Sequence, residues 1–304
     1  MENLDLISIV GPTAVGKTSV AAHLAAAING EILSADSRQV YRGMDLGTGK
    51  DYSDYVINGK QVPYHLIDIA DAGYKYSVFE FQTDFLKAYS EVKARGNMPI
   101  LCGGTGMYID AVVKGYKLMK VPINDELRAE LEVMTDQALE TRLNALKTVH
   151  NRSDFDTRKR LIRAIEIEQY QKEHEVEMVA YPHINNIYFG ILVDRTTRRK
   201  RITERLHARL KAGMVEEVQA LIDGGVPVET MLFYGLEYKF IAMYILGQIT
   251  YDQMVEQLNF AIHHFAKRQM TWFRKMERDG NTIHWIDGLL PMEEKVNAIL
   301  KRIG

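Results

Sequence analysis

After the aliphatic run LISIV (Leu6–Val10) the chain reads GPTAVGKT over Gly11–Thr18, and this stretch decides the fold. It matches the spacing G-x-x-x-x-G-K-[ST] and sits where that spacing has physical meaning, between a buried strand and the alanine-rich helix KTSVAAHLAAAI. Glycines let backbone amides turn inward around phosphate oxygens, and the helix N-terminus adds partial positive charge. Gly11, Pro12, Thr13, Ala14, Val15, Gly16, Lys17 and Thr18 therefore read as a phosphate cradle. Lys17 would bridge two phosphates, and the Thr18 hydroxyl would be offered to Mg2+.

Outward from the loop, strand and helix patterns alternate. GEILSAD, HLIDI and NMPILCGG read as strands, and SVFEFQTDFLKAYSEVKARG as a long amphipathic helix. The expected class is α/β, a P-loop-type parallel sheet flanked by helices. From about Pro122 to Glu177 only helical periodicity occurs (NDELRAELEVM, TDQALETRLNAL, DTRKRLIRAIEIEQYQKE), and a strand, NIYFGILVD, resumes at Asn186. That pattern predicts an all-helical insertion domain over 116–181 within an α/β core made of 1–115 plus 182–304. A long helix from Arg198, a Gly-Gly-Val-Pro break at 224–227, further helices and a last strand, TIHWID, complete the core.

At 304 residues, 46% hydrophobic and 26% charged, the chain is long and apolar enough for a sizeable core. It contains no apolar run long enough to span a bilayer, and its first residues run into a strand without a leader pattern. The single cysteine, Cys102, lies in the apolar run MPILCGG and reads as a small core residue in a reducing compartment. The expectation is a cytoplasmic monomer without membrane contact. The net charge of −2 gives no sign of a polyanionic partner, but its distribution does. Eight Lys or Arg and one acid, Glu204, occupy Arg195–Lys211, and smaller basic clusters fall at Arg152–Arg163 and Lys267–Arg278. Segregated basic patches suit a local polyanion site. Arg198, Arg201, Arg205 and Arg209 share a helical face beside the apolar stripe Ile202, Leu206, Leu210. His263 and His264 are adjacent on a helix, point roughly 100° apart and make a poor chelating pair.

A nucleotide-hydrolysing site would place an aspartate at the end of a neighbouring strand to hold the same magnesium. NMPILC instead runs into Gly103-Gly104-Thr105-Gly106, and Asp68 in HLID is a weak substitute. Asp36, after the second strand, is the other carboxylate in a suitable place. It would serve magnesium or accept a proton from an incoming nucleophile, unless it merely caps a helix.

GPTAVGKT, DSRQVYRGMDLGTGK, HLIDI, GGTGMY, RLIRAIEI and KRQMTWFR, in that order, resemble the tRNA dimethylallyltransferases, a family of tRNA-prenylating enzymes. The likeness runs from Ile7 to about Arg274. It implies that the cradle holds the diphosphate of dimethylallyl diphosphate as a leaving group, with Mg2+ on Thr18. Arg205 would share that anion, and the acceptor would be the exocyclic amine of the adenosine 3′ of the anticodon. Asp36 would accept its proton, and Thr105 would contact the target nucleotide. Ser37, Arg38 and Gln39 would meet the RNA, as would Lys267, Arg268, Gln269, Trp272 and Arg274, with the aromatics of KRQMTWFR reading first as core residues. Arg128, Arg158, Lys159, Arg160 and Arg163 of the insertion would clamp the tRNA anticodon stem-loop while the base is drawn out. One departure is FYGLEYKF, where Gly235 stands apart from Tyr238 and Lys239 although the family has Gly-Tyr-Lys together. The residues alone also admit a small-molecule kinase, a prenyltransferase acting on free adenine nucleotides, or a non-catalytic RNA-binding module.

Overall fold

In the computed structural model, which describes residues 4–146, 157–174 and 181–304, LISIV becomes β1 (Leu6–Val10), buried throughout. A strand covered on both faces carries apolar side chains without alternation. Ser8, its polar exception, donates its hydroxyl to Asn186 Oδ1 at 2.7 Å. The chain continues through α1 (Lys17–Ile28), β2 (Gly30–Ser34) and a short antiparallel ribbon of β3 (Val56–Ile57) and β4 (Lys60–Gln61). There follow β5 (Tyr64–His65), α2 (Val78–Ala94), β6 (Met98–Gly103) and α3 (Gly106–Val113). Three helices come next: α4 (Asp125–Glu132), α5 (Asp136–Leu146) and α6 (Arg158–Glu173). The rest is β7 (Asn186–Leu192), α7 (Arg195–Lys211), α8 (Met214–Asp223), α9 (Val228–Met231), α10 (Leu236–Ile245), α11 (Tyr251–Arg278), β8 (Ile283–Asp287) and α12 (Met292–Ile303).

Six strands form one parallel sheet in the order β5-β2-β6-β1-β7-β8. The chain leaves the centre with β1, works at one edge, and returns through β6 beside β1 before β7 and β8 extend the other side. Val10 is level with Gly103, and Ser34 with Cys102, so the loops after β1, β2 and β6 emerge together at the carboxyl edge. Ligands of open parallel sheets gather there.

The expected strand HLIDI is corrected by the structure. Tyr64 and His65 alone pair with β2, because Leu66 and Asp68 adopt φ of 66° and 56°, a left-handed backbone that ends a strand. Asp68 is bound by the buried Lys50 ammonium and the Tyr52 hydroxyl, so it is no substitute magnesium carboxylate at the phosphate loop.

The chain divides into two compact units, Met1–Tyr116 with His183–Gly304, and Lys117–Pro182. In the first, Val20 and Leu24 of α1 and Ile299 and Ile303 of α12 cover Ile7, Ile9, Ile32 and Ile100 of the sheet. Truncating fully buried Leu24 to Ala would cost about 2–5 kcal/mol. Phe81 of α2 and Tyr108 of α3 stack at 4.1 Å and belong to the same unit.

The second unit packs α4, α5 and α6 around Leu127, Leu131, Leu139, Leu143 and Ile165. At its centre the buried Glu166 carboxylate takes Arg128 Nε at 3.0 Å and Nη2 at 2.9 Å, the Asn124 amide at 2.7 Å, and Arg163. Burial pushes this carboxyl up, but the hydrogen bonds from Arg128, Asn124 and Arg163 together bring it below its ordinary value. Arg158 is likewise engaged, with Glu132 and Asp136 and with the Met134 carbonyl. Lys159 and Arg160 are exposed, and Arg152 lies outside the described residues. Among the described residues no helix is long and apolar enough to cross a membrane.

Candidate active site

The phosphate loop is shaped by what its helix lacks. Helices α2 and α11 begin on capping boxes (Ser77 with Glu80, Thr250 with Gln253), and α7 on the Asp194 carboxylate. Helix α1 begins on Gly16, with no side-chain cap bond and no acid in its first turn. Its leading amides are left for an outside anion. Gly11, at φ 145°, lies so close to β7 that a Cβ would sit 2.5 Å from the Ile191 carbonyl oxygen, which explains the first glycine of the motif.

Two cations face this loop. Lys17 Nζ donates to the Pro12 carbonyl at 2.7 Å. Burial pushes its pKa down to about 8, against the pull of Cys102 and Asp36 and with Arg205 adding to the fall. Arg205, from α7, donates to Thr13 Oγ1. Burial and then the neighbouring Arg209 bring it down to about 10. Arg205 has no ion-pair partner among the described residues, whereas Arg209 pairs with Asp51 at 3.1 Å. Two half-buried cations beside bare amides make a receptor for a multiply charged anion.

Asp36 leaves β2 directly into the crevice and caps no helix. Its Oδ1 accepts the Arg38 amide at 2.9 Å, and Oδ2 accepts no hydrogen bond among the described residues. Thr105, from the loop after β6, accepts the Ser37 amide at 3.2 Å, which ties the second loop to the third. Two cavities meet here. A small one, about 120 Å³, is lined by Gly16, Lys17, Thr18, Gln39 and Asp54. A larger one, about 490 Å³, is lined by Ser37, Arg38, Thr105, Met107, Phe233 and Arg268. Thr13, Asp36, Gly104 and Arg205 line both, so the carboxylate stands at the junction between anion site and open crevice. The larger space has an exposed apolar wall: Leu232 is 55% exposed there, alongside Met107 and Phe233, whose ring lies 5.2 Å from the Arg38 guanidinium.

Several sequence-derived contacts have other duties. Gln269, expected to touch RNA, is buried; its Oε1 accepts the Thr13 amide at 2.8 Å and its Nε2 donates to the Gly104 carbonyl at 3.0 Å. It is a strut between the first and third loops. Trp272 packs against Gly106, where a Cβ would overlap the indole, donates to Asp110 at 2.9 Å and also lines the crevice. Phe273 is fully buried. Lys267 and Arg274 do not line the crevice; they face a separate cavity with Arg198. Arg128 and Arg163 are committed to Glu166.

The departure FYGLEYKF also finds a physical account. Tyr234 and Tyr238 are buried. Tyr238 presses on Gly47, where a Cβ would sit 2.6 Å from its ring, and donates to Glu217 at 2.6 Å. Glu217 in turn accepts the amides of Asp45, Leu46 and Gly47 at 2.9, 2.7 and 3.1 Å, clasping the loop that carries Thr48 and Gly49 to the anion site. Neither Glu217 nor the crevice-lining Glu237, whose carboxyl burial pushes up, carries a local sequence signal. Their partners lie elsewhere in the chain.

Fold and site together define a phosphate-loop α/β protein whose loop cavity opens onto a larger, partly apolar crevice beside a carboxylate. The family description IPP transferase matches residues 39–276, and isopentenyl transferase matches residues 4–64. The chain is 56% identical over 303 residues to the tRNA dimethylallyltransferase 2 of Bacteroides fragilis, covering 100% of this chain and 99% of that one. The crystal structure of the tRNA isopentenylpyrophosphate transferase from Bacillus halodurans is 32% identical, with a TM-score of 0.72 over 98% of this chain and 95% of that one. A eukaryotic dimethylallyltransferase acting on tRNA, 20% identical, shares the fold at a TM-score of 0.78 over 99% of this chain and 78% of that one. This chain belongs to the tRNA dimethylallyltransferase family.

Proposed function

We propose that the protein transfers a dimethylallyl group from dimethylallyl diphosphate to the exocyclic amine of the adenosine 3′ of the anticodon in tRNA, releasing diphosphate. The observation that carries this reading is the position of Asp36 at the junction of the phosphate-loop cavity and a crevice with one apolar wall. Cleaving the allylic carbon–oxygen bond puts negative charge on the departing diphosphate. The amides of Ala14–Thr18, Lys17 and Arg205 would bind that charge more strongly as it grows. The nitrogen that attacks the allylic carbon loses a proton, and Asp36 Oδ2 would receive it. Gly104, Thr105 and the wall of Met107, Leu232 and Phe233 would seat the extruded base and the prenyl tail.

Mg2+ fits the donors present. The described residues hold no cluster of three or more ligating side chains, and the small cavity offers the Thr18 hydroxyl with carboxylates such as Asp36 and Asp54 on its wall. That suits an ion bound mainly through substrate phosphates and water. It would neutralise part of the leaving group's charge, with Thr18 holding it. The exposed Lys159 and Arg160, with Ser37, Arg38 and Arg268, would contact the anticodon arm.

The test is incubation with Mg2+, labelled dimethylallyl diphosphate and either tRNA or AMP, beside a parallel reaction with labelled ATP. Label in tRNA is the expected outcome. Label in AMP alone, or phosphate released from ATP without prenyl incorporation, overturns the reading.

A further inference from the structure

Helix α11 has a second basic face. On one side Ile262, Gln269 and Trp272 wall the crevice; on the other, His263, Lys267 and Arg274 close a cavity of about 530 Å³ against the start of α7. The two cavities share no lining residue. Helix α7 contributes Arg195, Arg198 and Arg199, so five permanent cations surround the space. The one carboxylate on its wall is Asp194, which already caps α7 by accepting the Thr197 amide at 2.9 Å. None of the five cations has an ion-pair partner among the described residues, and His263 Nδ1 is buried without a hydrogen-bond partner.

The electrostatic consequences point the same way. Burial pushes the Arg198 guanidinium down, and Arg195 and Arg274 push it further. Burial, Arg199, Arg198 and His264 push the His263 imidazole down as well. Arg198 is partly buried and the other four cations are exposed, so five positive charges converge on one concave surface with Asp194 as the single carboxylate on its wall, a potential that draws an anion. Arginines elsewhere pair with carboxylates, as Arg128 does with Glu166, whereas here, among the described residues, Asp194 is the single carboxylate on the wall and makes no ion pair with the five.

We propose that this cavity binds backbone phosphates of the RNA substrate, outside the crevice where prenyl transfer takes place. The inference rests on the tRNA reading above and adds Arg195, Arg198 and Arg199, which that reading leaves without a role. A single helix, α11, then carries the RNA on one flank and the reacting base on the other. Phosphate grip at the second cavity would fix the strand while extrusion of the target base draws on the crevice.

The test is tRNA affinity as a function of salt, by anisotropy of labelled tRNA, for the wild-type chain, Arg198→Gln/Arg199→Gln and Arg198→Lys/Arg199→Lys. Loss of two phosphate contacts should weaken binding about tenfold or more near physiological salt and flatten the log–log salt slope by about 1–2. The lysine pair should keep most of the slope. The loss should fall on KM for tRNA rather than on kcat. Affinity and slope both unchanged in the glutamine pair overturn the proposal. If inorganic phosphate raises the melting temperature of the wild type but not of the glutamine pair while tRNA affinity is equal, the cavity serves a free anion and the RNA assignment is overturned. Should the glutamine pair unfold, Lys267→Gln, from the exposed surface of α11, gives the same comparison with one contact. Prenyl incorporation by the wild-type preparation is scored separately. Its absence sinks the proposed reaction, while the binding comparison still judges the cavity.

Discussion

The second unit and the catalytic crevice use the same residue types to opposite ends. In the helical unit Arg128 and Arg163 close on the buried Glu166, and each charge is answered from within. In the crevice, among the described residues, Arg205 donates only to the neutral Thr13 hydroxyl, Lys17 only to a carbonyl, and one Asp36 oxygen accepts no hydrogen bond. A satisfied ion pair stabilises a fold and is finished. Charges of both signs held apart, each half-buried, mark the place where a ligand completes the electrostatics. The arginines of the two regions look alike as letters; their partners separate structure from chemistry.

The sharpest way to break this contrast is Asp36→Asn. It keeps the size and the turn, and the amide oxygen can still accept from Arg38. It removes the proton acceptor, so kcat should drop by at least about a hundredfold while tRNA affinity stays within a few-fold. Unchanged turnover would remove the base role and leave Asp36 as a turn residue. Next in size is Arg205→Gln, which deletes a donor to the developing diphosphate. A loss of about a hundredfold in kcat is expected, with KM for the prenyl diphosphate raised as well. A loss confined to tRNA binding would move Arg205 from the leaving group to the RNA.

How far the sequence alone reaches follows the same division. GPTAVGKT between an aliphatic run and an alanine-rich helix specified loop, strand and helix, because those features are local and their spacing is enforced by phosphate geometry. The parallel sheet and the three helices of the second unit followed from periodicity. HLIDI misled, since its apolar letters match a strand while Leu66 and Asp68 need positive φ to bring Asp68 onto Lys50. The arginine row on α7 split for a reason no helical wheel contains. Arg205 and Arg209 face the crevice, whereas Arg198 faces the far cavity. That Gln269 ties two loops together could not be read from its motif, because its partners, Thr13 and Gly104, are more than 150 residues away. Glu217 was invisible for the same reason: its three amide partners sit about 170 residues earlier.

On the satisfied side, Arg128→Gln should act on stability. It leaves the Glu166 carboxylate, only 1% exposed, with Asn124 and Arg163 alone. A cost of about 1–3 kcal/mol is expected, read from chemical denaturation. A normal unfolding midpoint together with a flattened tRNA salt slope would instead assign Arg128 to the RNA and erase the contrast between the two regions.

The smallest effect is the most specific to the unfilled side. Burial pushes the Lys17 ammonium down to about 8, so its charge begins to disappear just above neutrality. A diphosphate held beside it stabilises the ammonium, and binding between about pH 8 and 9 must take up a proton. Affinity for diphosphate should therefore weaken as pH rises through 8, and calorimetry in two buffers of different ionisation heat should register the uptake. Lys17→Met should bind more weakly and lose that proton term. The effect on folding has the opposite sense. Because burial lowers the pKa from its ordinary 10.5, the unfolded chain binds more protons between pH 8 and 10.5, and stability of the unliganded protein rises as pH climbs through that window. Affinity that falls while stability rises distinguishes a cation kept waiting for an anion from one already paired. If both fell together, Lys17 would be a structural charge like Arg128.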